Sequence, residues 1–286
     1  MTENDKSDKP GGDACPAAPG VGTEDATPHA APNPLSRRSF VGSVGASTTV
    51  AAAAGVALPS LLVGQGTSVD WNSVARLSQE AFRVAVNEWI GRARVQGGKV
   101  SGAAAVLTPG SLLSDVNIET RMIGILSGWR VPPAIGAAVA RVLAASWNEW
   151  AAGFQMAIPG AYPAFVAVPG RAAPPTRAAV SPALSQGSSA GEPALKAPVL
   201  AKRLIEALQA VAPKSSTAEP AMQGLASWVE ISFSQWKSLV TLTGLVGRGS
   251  APTYAPPYVP VAPVISGDNA SAGPLFAGPR FGIVAP

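Results

Sequence analysis

Histidine and cysteine are nearly missing from this chain: among its 286 residues there is one of each, His29 and Cys15. From residue 35 onward there is neither. That part therefore can form no disulfide, no zinc site built from Cys and His, and no Ser-His-Asp or Cys-His nucleophile. Carboxylates remain as the groups for acid-base chemistry. We expect a non-catalytic protein, not an enzyme, that holds no metal and no other cofactor.

Charged residues are also few, at 13% of the chain, and they form no block. From residue 70 there are 17 basic and 11 acidic residues, but no basic run is longer than Lys202-Arg203. Such a scattered excess predicts solubility, a mild attraction to anionic envelope polymers, and no nucleic-acid partner. This part also lacks a clean membrane-length stretch, since Glu230 and Lys237 interrupt the apolar residues 219–246.

The most specific pattern is Ser-Arg-Arg-Ser-Phe at residues 36–40. It follows residues 1–34, which we expect to be disordered because they have too little apolar surface to offset the entropy of ordering. After the arginines, residues 39–68 carry no charged side chain and are rich in small residues. Charge followed by such a stretch is the general arrangement of a signal peptide.

This pattern resembles the twin-arginine (Tat) signal peptide, with Arg37, Arg38 and Phe40 as the targeting residues. The resemblance covers about residues 34–60 only, and the residue after Phe40 is Val where Leu is commoner. It implies a signal segment at residues 35–64 and contact with the Tat translocase. It also implies folding before transport and a periplasmic or exported location.

Two outcomes are open for the signal segment after transport. Small residues at 51–54 and at Ala57 supply Ala-x-Ala-like cleavage sites. Without cleavage, residues 41–63 are long enough to remain as a membrane anchor, although their Gly, Ser and Thr make a poor stop-transfer sequence. We expect membrane contact only in the second case.

The rest of the chain is predicted to be all-α, a helical bundle of about five helices. Apolar residues recur at i, i+3 and i+4 from Trp71 to Ile90, and Asp70 is one of the residues that can cap this helix. Strand-like alternation is nearly absent. The predicted helices cover residues 70–95, 115–127, 133–154, 197–212 and 219–245.

Two segments rich in Pro and Gly interrupt the helices, and we expect them to be extended. The resulting units are a helical unit at 70–158, a linker at 159–195, a second helical unit at 196–247 and a tail at 248–286. Residues 70–286 show no motif of a known family. A Gly-x-Ser-x-Gly match at 187–191 and Gly-Gly-Lys at 97–99 are interpreted as turns, because neither has the strand and helix that a catalytic loop requires.

Each helical unit contains Ala-Ser-Trp-x-Glu, at residues 145–149 and 226–230, which suggests an internal duplication. A Trp beside a carboxylate can also indicate sugar binding or glycoside hydrolysis. Residues two apart lie about 200° apart around a helix axis. We therefore expect Trp147 and Trp228 in the core and the two Glu side chains in solvent.

These features predict an exported structural or interaction protein of the bacterial cell envelope, whose partner is another protein or a second copy of itself. Two alternatives stay open. One is an envelope enzyme that uses only carboxylates and acts on polysaccharide, which two carboxylates facing each other across a cleft would favour. The other is a protein whose amphipathic helices coat a lipid surface.

Export is expected to depend on the arginine pair. Replacing Arg37 and Arg38 by Lys keeps the charge and removes the guanidinium groups, so the variant should stay in the cytoplasm unprocessed. Cell fractionation and immunoblotting measure this, with Lys6→Arg and Lys9→Arg as a control outside the motif. Equal periplasmic yield of the variant and the wild type would contradict the Tat assignment.

Overall fold

The computed structural model describes residues 69–162, 176–212, 215–250 and 266–282. The helices are α1 (Trp71–Gly91), α2 (Ile118–Gly128), α3 (Pro133–Gly153), α4 (Ala197–Gln209) and α5 (Ala218–Leu239). The strands are β1 (Arg94–Ser101), β2 (Ala104–Leu107), β3 (Leu112–Leu113), β4 (Phe154–Ile158), β5 (Thr176–Arg177), β6 (Ser188–Ser189), β7 (Thr241–Leu242), β8 (Leu245–Ser250), β9 (Ser266–Ser271) and β10 (Phe276–Ala277).

Local chemistry determines where α1 and α3 begin. The Asp70 carboxylate accepts hydrogen bonds from the Ser73 hydroxyl at 2.6 Å and the Ser73 backbone N–H at 3.2 Å, which caps α1 and lowers the pKa of Asp70. Pro133 occupies the first position of α3, where its missing N–H is not needed. Helix α5 ends at Leu239, earlier than predicted, because the chain continues directly into β7 and β8.

The prediction of an all-α fold is wrong. The structure contains an eight-stranded antiparallel sheet in the order β5-β8-β9-β1-β2-β4-β6, with β3 also paired to β1, and a separate β7-β10 pair. Helices and sheet share one hydrophobic core, so the protein combines α and β structure. The described parts of the two segments predicted to be extended linker and tail supply β5, β6, β9 and β10.

Strands β1 and β9 escaped prediction because their sequences have low intrinsic strand propensity. The Gly-Gly-Lys at 97–99 belongs to β1 rather than to a turn, and a bulge between Gln96 and Gly98 breaks the alternation of side chains. Strand β9 reads Ser-Gly-Asp-Asn-Ala-Ser. Its Gly267 lies so close to the Arg248 carbonyl of β8 that a Cβ would overlap it. Tertiary pairing thus overrides local preference here.

One face of the sheet is buried against the helices. Val100 of β1, Ala105 of β2 and Ile158 of β4 lie side by side in the register, and each is at most 3% exposed. The neighbouring buried row contains a polar residue, Asn269, whose amide donates to the Lys99 carbonyl at 2.8 Å. This buried row and the apolar row together join the sheet to the core.

Tyr162 closes the polar part of that face. Its hydroxyl donates to the Asn269 side-chain oxygen at 2.5 Å, and its ring lies against Gly247, where a Cβ would be in close contact with it. Burial raises the pKa of Tyr162 to about 12, so the phenol keeps its proton at physiological pH. The pair satisfies two polar groups that would otherwise be buried without partners.

The centre of the core is a cluster of aromatic rings around Trp147, which is fully buried. We call these rings the aromatic cluster, and they come from α1, α3, α5 and the chain after β10. The six rings that contact Trp147 are Phe82, Trp89, Trp150, Phe233, Trp236 and Phe281, at centroid distances of 4.9–6.2 Å. Helices from both predicted helical units, 70–158 and 196–247, thus share one core.

Several predicted features lie outside the described residues. These are the whole of residues 1–68, which include the signal segment, and parts of both Pro-rich segments at 163–175 and 251–265. Among the helices that the structure does describe, we find none that combines the length and apolar character needed to cross a bilayer.

Truncating Trp147 should remove the centre of the aromatic cluster. We expect Trp147→Ala to lower the free energy of unfolding by about 3–5 kcal/mol, because the side chain is fully buried and its loss leaves a cavity in the core. Trp228→Ala is the matched control: this residue is partly exposed and contacts one ring, Phe281, so its loss should be smaller. Urea denaturation measures both. A Trp147→Ala variant with an unchanged midpoint would contradict the core assignment.

Candidate functional site

The predicted targeting residues Arg37, Arg38 and Phe40 lie outside the described residues, and their role stays a prediction. Within the described part of the chain, no three His, Cys, Asp or Glu side chains lie close enough together to hold a metal ion. The remaining candidates for a functional site are the carboxylates and the surfaces of the helices.

The first Trp-Glu pair is arranged as helix geometry predicts. Trp147 is buried, whereas Glu149 points to the surface and accepts a hydrogen bond from Arg203 at 2.8 Å. The indole face is covered by other rings and is not available to a sugar. This Trp is a core residue and not a ligand platform.

The second Trp-Glu pair differs from the prediction, because Glu230 does not point freely into solvent. Its carboxylate accepts a hydrogen bond at 2.8 Å from the backbone N–H of Ala197, the first residue of α4, and pairs with Lys196 at 3.2 Å. The hydrogen bond from Ala197 and the Lys196 charge lower the pKa of Glu230. Glu230 on α5 thus caps α4 from the side, which no local sequence pattern reveals.

The two Ala-Ser-Trp-x-Glu segments also present different faces to the core. In α3, Ser146 is buried and Asn148 exposed; in α5, the equivalent Ser227 is exposed and Val229 buried. The second segment is therefore rotated about its helix axis relative to the first. The two segments have similar sequences, but their side chains lie in different environments.

Ser189, at the centre of the Gly-x-Ser-x-Gly match, has a structural role. Its hydroxyl donates to the Trp150 carbonyl at 2.7 Å and accepts from the Gly191 N–H at 3.1 Å. Gly191 packs against the Glu149 backbone with no space for a Cβ. The segment attaches β6 to the end of α3, and no described residue is placed to activate the hydroxyl as a nucleophile.

Other helix carboxylates are used in ion pairs. Glu88 pairs with Arg121 at 2.8 Å and with Arg92 at 3.5 Å. Glu192 pairs with Lys237 at 2.6 Å, and this Lys side chain is 14% exposed. These pairs connect neighbouring elements and leave the carboxylates bound to cations of the same chain.

The open concave surface that we consider as a functional site is a groove between α4 and α5. Two adjoining hollows, of about 390 and 740 Å³, share Ile205, Gln209 and Glu219 as lining residues. Trp71 and Met222 line the first hollow, and Pro198 lies at the far end of the second. We call this surface the α4–α5 groove.

The α4–α5 groove has an apolar floor and a charged rim. Ile205 is partly buried, while the rim carries Lys202, Glu206 and Glu219. Lys202 lies 3.9 Å from Glu206 on the same helix, and Glu219 accepts a hydrogen bond from Gln223 at 3.4 Å. The rim therefore offers both signs of charge above an apolar strip.

The sequence contained part of the signal for this groove. The apolar stripe predicted for α4 is buried at Leu200, Leu204 and Leu208, but Val199 and Val211 are about 40% exposed. Positions 198, 201, 205, 209 and 212, which line the groove, recur at the three- and four-residue spacing of a second helical face. This second face, which holds small and apolar residues and one Gln, is the pattern that would have indicated the groove.

No protein family, curated protein or solved structure that we compared matches this chain.

Removing the Glu230 carboxylate should destabilise the α4–α5 contact. We expect Glu230→Ala to cost about 1 kcal/mol at neutral pH, the usual size of a lost helix cap. Because the pKa of Glu230 is lowered by folding, this stabilisation is present above its ordinary pKa and is lost as the pH falls through the lowered value. The difference from wild type should therefore shrink in acid.

Glu149→Ala is the control for this measurement, since it removes an exposed ion pair on the neighbouring helix and should cost at most about 0.5 kcal/mol. Urea denaturation at neutral and acidic pH gives both values. Equal losses for the two variants at neutral pH would contradict the capping role of Glu230.

Proposed function

We propose that this chain is an exported, non-catalytic interaction protein of the bacterial cell envelope, folded before Tat transport, that associates with a second copy of itself. The proposal of export rests on the sequence pattern at residues 36–40. The association part rests on one observation, the α4–α5 groove with its apolar floor and its mixed charges. The remaining described carboxylates outside the groove cap helices or form ion pairs, apart from Asp268 on the sheet.

A second copy fits the charges of the groove. In a two-fold interface each surface meets itself, so a rim with both signs can be complementary to its own copy. Lys202 of one copy can approach Glu206 or Glu219 of the other when the helices cross antiparallel. The apolar residues around Ile205 then meet in the centre and lose water.

Sedimentation velocity of the full chain tests this association. We expect the wild type to dimerise and Lys202→Glu to weaken dimerisation at least about tenfold, because the three carboxylates of one copy then face the same three of the other copy. A variant carrying Glu206→Lys and Glu219→Lys should be weakened too, and mixing the two variants should restore a heterodimer. Arg141→Glu, an exposed charge reversal on α3, is the matched control.

Restoration in the mixture would support the proposed interface directly. A wild type that stays monomeric at every concentration, or a control variant that disrupts as strongly as Lys202→Glu, would contradict it. Neither result would bear on export, which the Arg37 and Arg38 substitutions test separately.

One observation favours a second candidate, a carboxylate-only enzyme acting on polysaccharide. Glu206 on α4 and Glu219 on α5 line the same hollow, which is the arrangement such an enzyme requires. Glu206 is 60% exposed and paired with Lys202, so it is placed less well for proton transfer than for surface contact. Polysaccharide hydrolysis by the wild type that both Glu206→Gln and Glu219→Gln abolish would favour the enzyme over self-association.

A further inference from the structure

Positive charge is unevenly divided between the sheet and the rest of the protein. Outside the strands, the described residues include eleven basic and ten acidic side chains; within the strands there are four basic and one acidic. Eight of the eleven cations outside the strands form ion pairs, namely Arg83, Arg92, Arg121, Arg141, Lys196, Lys202, Arg203 and Lys237. None of the four strand cations does so within the described residues. The described positive surplus therefore lies mainly on the sheet, which carries +3 against +1 elsewhere.

The strand register places three of these cations on the face of the sheet that points away from the core. Lys99 of β1, Asp268 of β9 and Arg248 of β8 lie side by side, with Asp268 in the middle. Two strand spacings separate Lys99 from Arg248, about 10 Å. Arg177 of β5 lies opposite Val246, two residues along β8 from Arg248, and so shares this face. We call Lys99, Arg177 and Arg248 the outer basic face.

The side chains between the cations are small or polar. Ser101 lies in the next row, and Gln96 lies beside Ala270 in the row on the other side. Lys99, Arg177, Arg248, Asp268, Ser101 and Gln96 are all exposed, while Val246 is buried on this face. The described outer surface of these rows therefore offers cations, a hydroxyl and an amide, and no exposed aromatic ring.

The side chains of the outer basic face favour some anionic partners over others. Binding of single-stranded nucleic acid uses aromatic rings for base stacking, and insertion into lipid uses exposed aromatic or large aliphatic side chains. The described rows of the outer basic face have neither. Guanidinium and ammonium groups bind carboxylate oxygens, and hydroxyl and amide groups between them can bind the hydroxyls of a sugar.

We propose that the outer basic face binds a linear anionic polysaccharide through Lys99, Arg177 and Arg248, with serine and glutamine side chains contacting its sugar hydroxyls. Asp268 opposes this binding, because it places one negative charge between two of the cations. The site is separate from the α4–α5 groove and does not depend on self-association.

Alginate, a polymer of uronic acids, is the probe, and neutral dextran of similar length is its uncharged counterpart. Affinity of the full chain is measured by calorimetry at low and high salt. Lys99→Gln with Arg248→Gln should weaken alginate binding about tenfold at low salt, because two exposed charge contacts are lost. Asp268→Asn should tighten it, and rising salt should weaken it for the wild type.

Arg76→Gln with Arg130→Gln is the matched control, since it removes two exposed cations that lie outside the strands and form no ion pair with another described residue. We expect this variant to bind alginate within about twofold of the wild type, as long-range effects of exposed charges are screened. Circular dichroism melting of each variant shows that the fold is kept, which is expected because all substituted side chains are exposed.

A loss confined to the strand variant, together with tighter binding by Asp268→Asn, would support the outer basic face as the site. Equal losses in the strand variant and the control would overturn it, since net charge alone would then explain binding. Absence of alginate binding, or equal binding of dextran, would overturn it as well. Tighter binding of oligo-dT or of phosphatidylglycerol vesicles through the same residues would overturn the assignment to polysaccharide.

Discussion

The contacts around Trp147 connect parts of the chain that are distant in sequence. Phe82 comes from α1, Trp236 from α5 and Phe281 from beyond the last strand, and all three rings pack against the same indole. The packing has a cost, because the indole N–H groups of Trp147, Trp150 and Trp236 are buried and have no hydrogen-bond acceptor among the described residues. Edge-to-face contacts partly compensate, since an N–H can interact weakly with a π face. This cluster therefore holds α1, α3 and α5 together, while α4 contributes no ring to it.

Sequence reasoning recovered the helices but not the sheet. The helices have the 3.6-residue period and local caps such as Asp70, and both are readable from a single sequence. Strands β8 and β9 hold Gly247 and Gly267 because a neighbouring ring or backbone occupies the space of a side chain. They hold Asn269 because its side chain bonds to the Tyr162 hydroxyl and the Lys99 carbonyl, and only the folded structure shows these neighbours. The sequence indicated the α4–α5 groove only in part, through a second face on α4. The capping of α4 by Glu230 was not visible, because its partner lies 33 residues away.

The distribution of charge gives the protein two surfaces of different character. Around the helices, cations and carboxylates are closely balanced and mostly paired, so their field largely cancels beyond a few ångströms. On the sheet, Lys99 and Arg248 have Asp268 as their shared neighbour and no ion pair within the described residues. Long-range attraction of an anion would thus be directed to the sheet, while short-range contacts would decide what binds at the helices.

Phe281 and β9 also determine the order in which this fold can form. Strand β9 lies between β1 and β8 in the sheet, and Phe281 is fully buried against Trp147. A nascent chain that has not yet reached these residues lacks an inner strand of the sheet and one wall of its aromatic cluster. The ribosome must therefore have synthesised nearly all of residues 70–281 before the core can close. Folding is then a single late event that follows synthesis, rather than a gradual one that accompanies it.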